Sequence, residues 1–435
     1  MTFAQAQAYL LSTAGEGFSR SAPHRLDRMR ALLRELGDPQ DAYPTIHVAG
    51  TSGKGSTATL IAAALQAAGR KTGLHSKPHL YSVTERARIG GICIPEVRFA
   101  QLLAEMMPAI ERTTGAFDRP SYYETLLALA FLYFAAEQVE VAVIEAGLGG
   151  TLDGTNVLHP QVCVITNVGF DHMDVLGDTL EEIAANKAGI AKSGVPLVSG
   201  VDEPSARHVV VAACAHAGAP FVDVDLVTRI EGVQNRRDVE SFTVVTSSAR
   251  YDLTMTLLGG FQRRNAATAL AALERLPAPL RPGTQSVVSG FAAARIQGRM
   301  EVVAGRVPVV FDIAHNREKA RALVAALAER FPAAPVRYVV AVGQGKDAAG
   351  ILRALGEAPG SFLLTAFSAQ GRTAQDPHHI GEIARGLGLT AQVVPQASRA
   401  LAAALDACVP GEIVVVTGST FLVAELRGEA SVAHV

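Results

Sequence analysis

The sequence predicts an α/β fold with a mostly parallel sheet, followed by a second, smaller α/β unit. Two observations carry that expectation. Short apolar runs that end abruptly in polar residues alternate with helical stretches over residues 43–199, as in parallel sheets whose strands are apolar on both faces because helices cover both. The same alternation restarts after Arg299, behind the Pro-rich stretch LPAPLRPGTQ. The boundary is therefore expected near residue 298, giving domains 1–298 and 299–435.

The elements follow in chain order. Leu26, Met29, Leu32, Leu33 and Leu36 recur at helical spacing in APHRLDRMRALLREL (22–36), with Gly37 and Pro39 as stop signals. YPTIHVAG reads as a short buried strand entering HVAGTSGKGST (47–57), and STATLIAAALQAAG as the helix behind it, stopping at Gly69. YYETLLALAFLYFAAEQ (122–138) is a helix, and in VEVAVIEAGLGG the strand 141–144 ends in Glu145. QVCVITNVGFDH repeats that design, ending in the polar run 166–172, before a helix over 179–191 and the strand VPLVS. Residues 201–258 are less regular, with strand-like alternation in SFTVVTSS and YDLTMTLL, and NAATALAALERL is helical. In the second series VPVVFDIAHN is a strand ending at Asp312, and a helix covers about 318–330. VRYVVAVG, SFLLTAF, AQVVP and EIVVVTGS are further strands with helices between them.

Composition narrows the class. Hydrophobic residues at 49% against 18% charged describe a globular chain with a large core. A net charge of −2 gives no electrostatic case for nucleic acid or an acidic membrane surface. Cys93, Cys163, Cys214 and Cys408 form no CxxC pair, and GGICI and QVCVIT place two of them in apolar runs, as buried free thiols in a reducing compartment. MTFAQAQAYLLSTAGEG lacks the basic and cleavable parts of a signal peptide. No apolar run approaches the ~20 residues of a membrane span. The expectation is a soluble, cytoplasmic protein.

Three constellations carry chemistry. In HVAGTSGKGST, Gly50, Gly53 and Gly55 let backbone N–H groups converge on an anion. Lys54 adds a charge for phosphate oxygens, the following helix its dipole, and Ser56 or Thr57 a hydroxyl for Mg2+. Val48 and Gly55 depart from the usual GxxxxGK[ST] pattern, so a Gly/Ser turn capping a helix stands beside the phosphate reading. Glu145, at the carboxyl end of a buried strand, is either a Mg2+ ligand or an acid leaving the core. In GFDHMDVLGDTLEEIAANKAGIAK, Asp171, His172 and Asp174 cluster after the third strand. Lys187 shares its helix with Ile183 and Ala184, near Ile190; half-buried, its neutral amine would be favoured. A loop histidine and a snorkelling lysine are the alternatives.

The chain resembles the folylpolyglutamate synthase/dihydrofolate synthase family of the Mur-ligase superfamily. The resemblance is carried in the family's order by LRELGDPQDAYPTIHVAGTSGKGS, KPHLYSVTERARIGG, YYETLLALAFLYF, EAGLGGTLDGTN and ITNVGFDHMDVLGDTLEEIAANKAGI. It continues through GGFQRRNAATALAAL, GRMEV, DIAHN and TGSTFLVAELR. It implies a P-loop-type ATPase domain joined to a smaller Rossmann-like C-terminal domain. It implies an ATP-dependent ligase that phosphorylates a folate-type carboxylate and lets L-glutamate's amine displace the phosphate. Gly50, Thr51, Gly53, Lys54, Gly55, Ser56 and Thr57 would hold the nucleotide, with Gln262, Asn265, Arg299, Asp312 and His315. Two Mg2+ ions would be held by Ser56, Ser76, Glu145, His172 and a CO2-derived carbamate on Lys187, with K+ as an accessory ion. The catalytic set implied is Lys54, His172, Lys187 and Arg299, the last clamping the γ-phosphate. The pterin-bearing substrate, dihydropteroate or a reduced folate, would lie near Ser121, Tyr123, Asp153 and Gly154. The partners implied are small molecules, and the chain is expected to be a monomer.

Four positions depart from the family pattern: Ser52, Lys77, Thr151 and Ile313. Lys77 bears most on the first metal, since an ammonium does not ligate Mg2+ and Ser76 or water would have to substitute. Other readings are a Mur-type ligase acting on a peptidoglycan precursor, a P-loop kinase or switch, and a non-catalytic nucleotide-binding scaffold. The first would carry a further N-terminal domain, the second does not need the segment 171–187 or the second domain, and the third does not need the intact phosphate, metal and amine groups.

Overall fold

A computed structural model describes residues 1–13, 25–236, 238–369 and 372–432. The chain divides into two compact units. The first comprises Met1–Val233, Phe242–Thr254 and Gln262–Ala294, and the second Gln234–Ser241, Met255–Phe261 and Arg295–Val435.

The first unit is built on β1 (Thr45–Ala49), β2 (Thr72–His75), β3 (Ala87–Ile89), β4 (Ile92–Cys93), β5 (Val141–Glu145), β6 (Val162–Ile165), β7 (Leu197–Ser199) and β8 (Phe221–Asp223). Their order in the sheet is β4-β3-β2-β5-β1-β6-β7-β8. From β2 to β8 every pairing is parallel. The central strands TIHVA and VAVIE are buried at every position, as strands covered on both faces must be. The chain runs from β1 toward β2 and β5, then returns to β6 on the other side. The carboxyl edge at β1 is thus a topological switch point, where open α/β sheets bind ligands.

One edge departs from the parallel expectation, since β3 pairs antiparallel with β2 and with β4. Gly90 and Gly91, at φ 60° and 79°, form the two-residue loop that closes this hairpin. Cys93 lies on it half-buried, rather than in the core, while Cys163 is buried. Burial pushes the Cys163 thiol up to about 12.

Two apolar clusters pack helices on the sheet. Phe99, Leu103 and Met106 of the helix Glu96–Ala116 meet Leu127, Phe131 and Phe134 of Tyr122–Ala136, together with Met29 and Leu33 of Arg25–Glu35. Residues 22–24 of the last helix's expected span lie outside the described residues. Ile183 and Ala184 of Leu180–Ala188 join Val210 of Pro204–Ala217 over Cys163 and Leu197. The helix expected over 179–191 stops at Ala188. A further helix, Thr284–Ala293, follows the Pro-rich stretch. There Gly290 lets two helices touch, because a Cβ on it would stand 2.6 Å from Ala63 O and Ala64 Cα.

β9 (Thr228–Asn235), β10 (Glu240–Thr246) and β11 (Arg250–Met255) form a small sheet ordered β11-β10-β9. The second unit carries β12 (Glu301–Val303), β13 (Val309–Phe311), β14 (Val336–Val340), β15 (Gly360–Ala366), β16 (Ala391–Gln396) and β17 (Ile413–Thr417), ordered β12-β13-β17-β14-β15-β16. All pairings are parallel except β12 with β13. Arg330, at the end of the helix Arg317–Arg330, donates to Glu240 Oε1 at 2.7 Å, with side chains 3% and 0% exposed. Gly259 N donates to the same oxygen at 2.8 Å. This buried ion pair fastens the segments around 240 and 259 to the second unit. Among the described residues, no helix is long and apolar enough to cross a membrane.

Candidate active site

The glycine loop leaves β1 at the switch point. Gly50 and Gly53 take φ of 143° and 79°, conformations in which a side chain would be strained. The loop after β6 holds it in place. Thr51 N donates to Asn167 O at 3.1 Å and Ser52 N to Asn167 Oδ1 at 2.8 Å. Thr166 donates to Ser52 O at 2.5 Å, and Thr51 to Gly169 O at 3.1 Å. The helix Lys54–Ala67 then starts with Thr57 N on Gly53 O at 2.9 Å. Ser56 and Thr57 are both buried at its first turn.

Two lysines distant in sequence meet this loop. Lys54 Nζ donates to Gly50 O at 2.8 Å and Thr51 O at 3.1 Å. Lys187 Nζ donates to the same Gly50 O at 3.0 Å. Lys187 is only 2% exposed, so it is fully buried rather than half-buried, and it does not snorkel. Its helix is pinned to the loop after β5: Gly150 N donates to Asn186 Oδ1 at 3.0 Å, and Thr151 N and Oγ1 both donate to Asn186 O at 2.9 Å. A Cβ on Gly150 would be 2.6 Å from Lys187 O, so glycine is what admits the helix. Thr151, one of the four departures, thereby acquires a structural task.

Glu145 ends β5 beside the loop, in register with Val48. It is buried, and a Cβ on Gly55 would come within 3.3 Å of its Oε2. Its Oε2 accepts from Lys77 N at 3.0 Å, so at this oxygen Lys77 acts through its main chain. Ser76 precedes it, half-buried, directly after β2. His172 stands at φ 51° ahead of the short helix Met173–Leu176, its side chain 42% exposed and Nε2 3.9 Å from Asp171 Oδ1.

Asn265, on the helix Gly260–Glu274, lies against the loop, since a Cβ on Gly53 would strike its side-chain oxygen. It donates to Gln262 Oε1 at 2.9 Å. Gln262 Nε2 is a buried donor with no hydrogen-bond partner among the described residues. Such a donor near a phosphate-shaped loop fits a missing acceptor.

A second polar group surrounds Asp153. Its Oδ1 accepts from Tyr123 OH at 3.1 Å, Thr155 N at 3.0 Å and Thr155 Oγ1 at 2.6 Å, and its Oδ2 from Leu148 N at 2.7 Å. Burial, with Asp153 beside it, holds the Tyr123 phenol well above its ordinary value. Gly154 opens the short helix Gly154–Val157 next to it. The Ser121 hydroxyl caps the helix Tyr122–Ala136 and donates to Glu124 Oε2 at 2.7 Å, so the structure gives it a capping task.

Arg299, Asp312 and His315 lie on the second unit. Asp312 accepts from Met300 N at 2.9 Å and Ala314 N at 2.8 Å, and its burial raises its pKa. His315 Nδ1–H donates to Ile313 O at 2.8 Å, which leaves Nε2 as the acceptor toward Lys319 Nζ at 3.3 Å. Burial, then Lys319, lowers His315 to about 3.

Two histidines of the sheet carry a pH consequence. His47 of β1 and His75 of β2 both pair in register with Ile144, and burial lowers them to about 4 and about 3. Unfolded, they titrate near 6.5, so below that pH the unfolded chain binds more protons. Their contribution is complete above about pH 6.5 and is lost as pH falls toward the folded values. Each removes at most about 1.4 kcal/mol per pH unit in that window. Scanning calorimetry should show the melting temperature falling from about pH 7 to about pH 5; a flat profile would refute it.

The glycine loop at a switch point, with an acid beside it, has the form of a nucleotide site. The Mur ligase middle domain model matches residues 48–273, and the Mur ligase, glutamate ligase domain model matches 298–420. The chain is 35% identical to the dihydrofolate synthase/folylpolyglutamate synthase of Bacillus subtilis, over 76% of this chain and 78% of that one. It is 33% identical to the folylpolyglutamate synthase of Lacticaseibacillus casei, over 98% of both chains. The Mycobacterium tuberculosis folylpolyglutamate synthase complexed with ADP superposes with TM-score 0.89 at 30% identity, over 98% of both chains. The E. coli FolC structure in complex with DHPP and ADP gives 0.88 at 27% identity, over 100% of this chain and 99% of that one. The chain belongs to the folylpolyglutamate/dihydrofolate synthase family of Mur-type, ATP-dependent ligases.

Proposed function

We propose that this enzyme joins L-glutamate to the carboxylate of a pterin-bearing acid, dihydropteroate or a reduced folate, through an acyl phosphate. The observation that carries the reading is the convergence of Lys54 and Lys187 on the Gly50 carbonyl, with Glu145 beside the same loop. Main-chain N–H groups and Lys54 would hold the β- and γ-phosphates, and the orphan Gln262 amide would find its acceptor on the nucleotide. Thr51, Gly53, Gly55, Ser56, Thr57 and Asn265 complete this cradle. Arg299, Asp312 and His315 would also bind nucleotide, Arg299 on the γ-phosphate. The ADP of the M. tuberculosis relative and the ADP and DHPP of the E. coli relative support these assignments.

Glu145, Ser56 and Ser76 would hold one Mg2+, and His172 with a carbamate on Lys187 a second. Such ions, with K+ as accessory, neutralise phosphate charge during transfer. Among the described residues no three His, Cys, Asp or Glu side chains cluster as a metal site. Mg2+ takes hard oxygen donors and shares the substrate's phosphates and water. The Asp153 group, with Tyr123, Gly154 and the main chain near Ser121, would face the acceptor. We place the enzyme in the cytoplasm, as a monomer.

Purified protein given ATP, Mg2+ and L-glutamate, with dihydropteroate and tetrahydrofolate offered separately, should release ADP and yield a product heavier by one glutamyl residue. ADP release and product mass are the readout, and no glutamate addition to either pterin would sink the reading. Gly53→Ala forces a side chain into a left-handed backbone and against Asn265. That strain should weaken binding of a non-hydrolysable ATP analogue about tenfold in a calorimetric titration; unchanged affinity would show that the loop tolerates it.

A further inference from the structure

The strand that delivers the glycine loop also carries a buried histidine aimed away from it. His47 Nε2 stands 2.7 Å from Thr155 Oγ1, and that hydroxyl stands 2.6 Å from Asp153 Oδ1. The proton positions follow from the partners. Both oxygens of Asp153 already accept main-chain N–H groups, from Thr155 and Leu148. The carboxylate is therefore the acceptor, the single Thr155 hydroxyl proton points at it, and the Thr155 oxygen accepts from His47 Nε2–H. This fixes the imidazole in one tautomer, with an unprotonated Nδ1 that has no hydrogen-bond partner among the described residues.

We propose that His47 is a positioning residue for the acceptor: through Thr155 it sets the orientation of the Asp153 carboxylate. The proposal rests on Asp153 facing the pterin-bearing substrate. A threonine hydroxyl alone rotates about its C–O bond; a donor on one lone pair removes that direction and keeps the proton toward Asp153 Oδ1. β1 supplies that donor from a central strand, paired on both sides by β5 and β6. Tyr123 OH and Thr155 N load the same Oδ1, while Oδ2 takes Leu148 N. Gly147 keeps this approach open, since a Cβ there would be 2.7 Å from Oδ2. One strand thus places both ends of the reaction: Gly50 at its tip for the nucleotide, and His47 within it for the acceptor.

The test is the steady-state kinetics of five variants. His47→Phe keeps a ring and removes the donor; Thr155→Val keeps the shape and removes the hydroxyl. Each should raise the KM for the pterin acceptor about tenfold, the scale of one hydrogen bond, and leave the KM for ATP and kcat within about twofold. His47→Gln puts an amide N–H where Nε2–H stands and should return the acceptor KM to near its original value. The His47→Phe/Thr155→Val double variant should be no worse than either single one, because both break the same relay. Asp153→Asn is the control for the underlying assignment: no rise in acceptor KM there removes Asp153 from the acceptor site, and the proposal with it. A rise with Asp153→Asn but not with Thr155→Val overturns the relay alone. Equal rises in the KM for ATP and acceptor, or failure of His47→Gln to rescue, assign His47 to the stability of β1 instead. Thermal melts accompany each variant, and if His47→Phe does not fold, Thr155→Val and His47→Gln still decide.

Discussion

Lys187→Ala is expected to lower turnover by about a thousandfold or more, the scale of losing a group that acts on transition-state charge. Three features make the residue hard to replace. Its amine reaches Gly50 O from a site that is 2% exposed, so no solvent molecule takes over its position freely. Its helix is tied through Asn186 to Gly150 and Thr151, which places the amine by main-chain contacts. A carbamate there would also present two oxygens, which alanine does not supply. If the carbamate carries the function, short carboxylic acids added to the variant should restore part of the rate, by lending two oxygens to the vacated space. Coupled ADP release reads both, with a thermal melt to show that the variant folds. Near-normal activity without additive would remove the carbamate from the mechanism.

Arg330→Met is expected to cost about 3–5 kcal/mol, because it removes the guanidinium 2.7 Å from the Glu240 carboxylate, whose side chain is 0% exposed. The hydrogen bond from Gly259 N is untouched by the substitution. Replacing both partners, as in Arg330→Met/Glu240→Leu, should recover most of the loss, since the desolvation penalty disappears along with the attraction. Denaturant unfolding monitored on single and double variants checks this. Equal destabilisation by both would mean that Arg330 acts through its contacts with the main-chain oxygens of Arg236 and Val239.

The parallel α/β core was legible because its strands are short, apolar at every position and stopped by polar residues, as in VAVIE before AGLGG. The loop, Glu145 and Lys187 were visible for a related reason: each breaks an apolar pattern at a strand or helix end. The antiparallel β3–β4 edge escaped notice although its signal was present, a Gly-Gly pair between two short runs in RIGGIC. The depth of Lys187 was underestimated because periodicity reports a helix face and not what lies over it. Asn167, Asn186 and Lys77 N–H left no trace to read; each role is a main-chain N–H meeting a side-chain oxygen, 115, 36 and 68 positions apart. His47 sat in plain view inside an apolar strand, but only Thr155, 108 positions away, shows what it is for.

The division of the chain has a bearing on inheritance. Residues 234–241 and 255–261 count with the second unit, so the polypeptide passes between the units at five points, after residues 233, 241, 254, 261 and 294. A gene fragment starting at Arg295 would encode the six-stranded sheet and Arg330 but not Glu240. The charge that balances Arg330 would be left behind on the other fragment. The smaller unit is thus no interchangeable cassette: recombination between relatives at a single joint would separate the two halves of a buried pair, and viable chimaeras should be those that carry all three segments together.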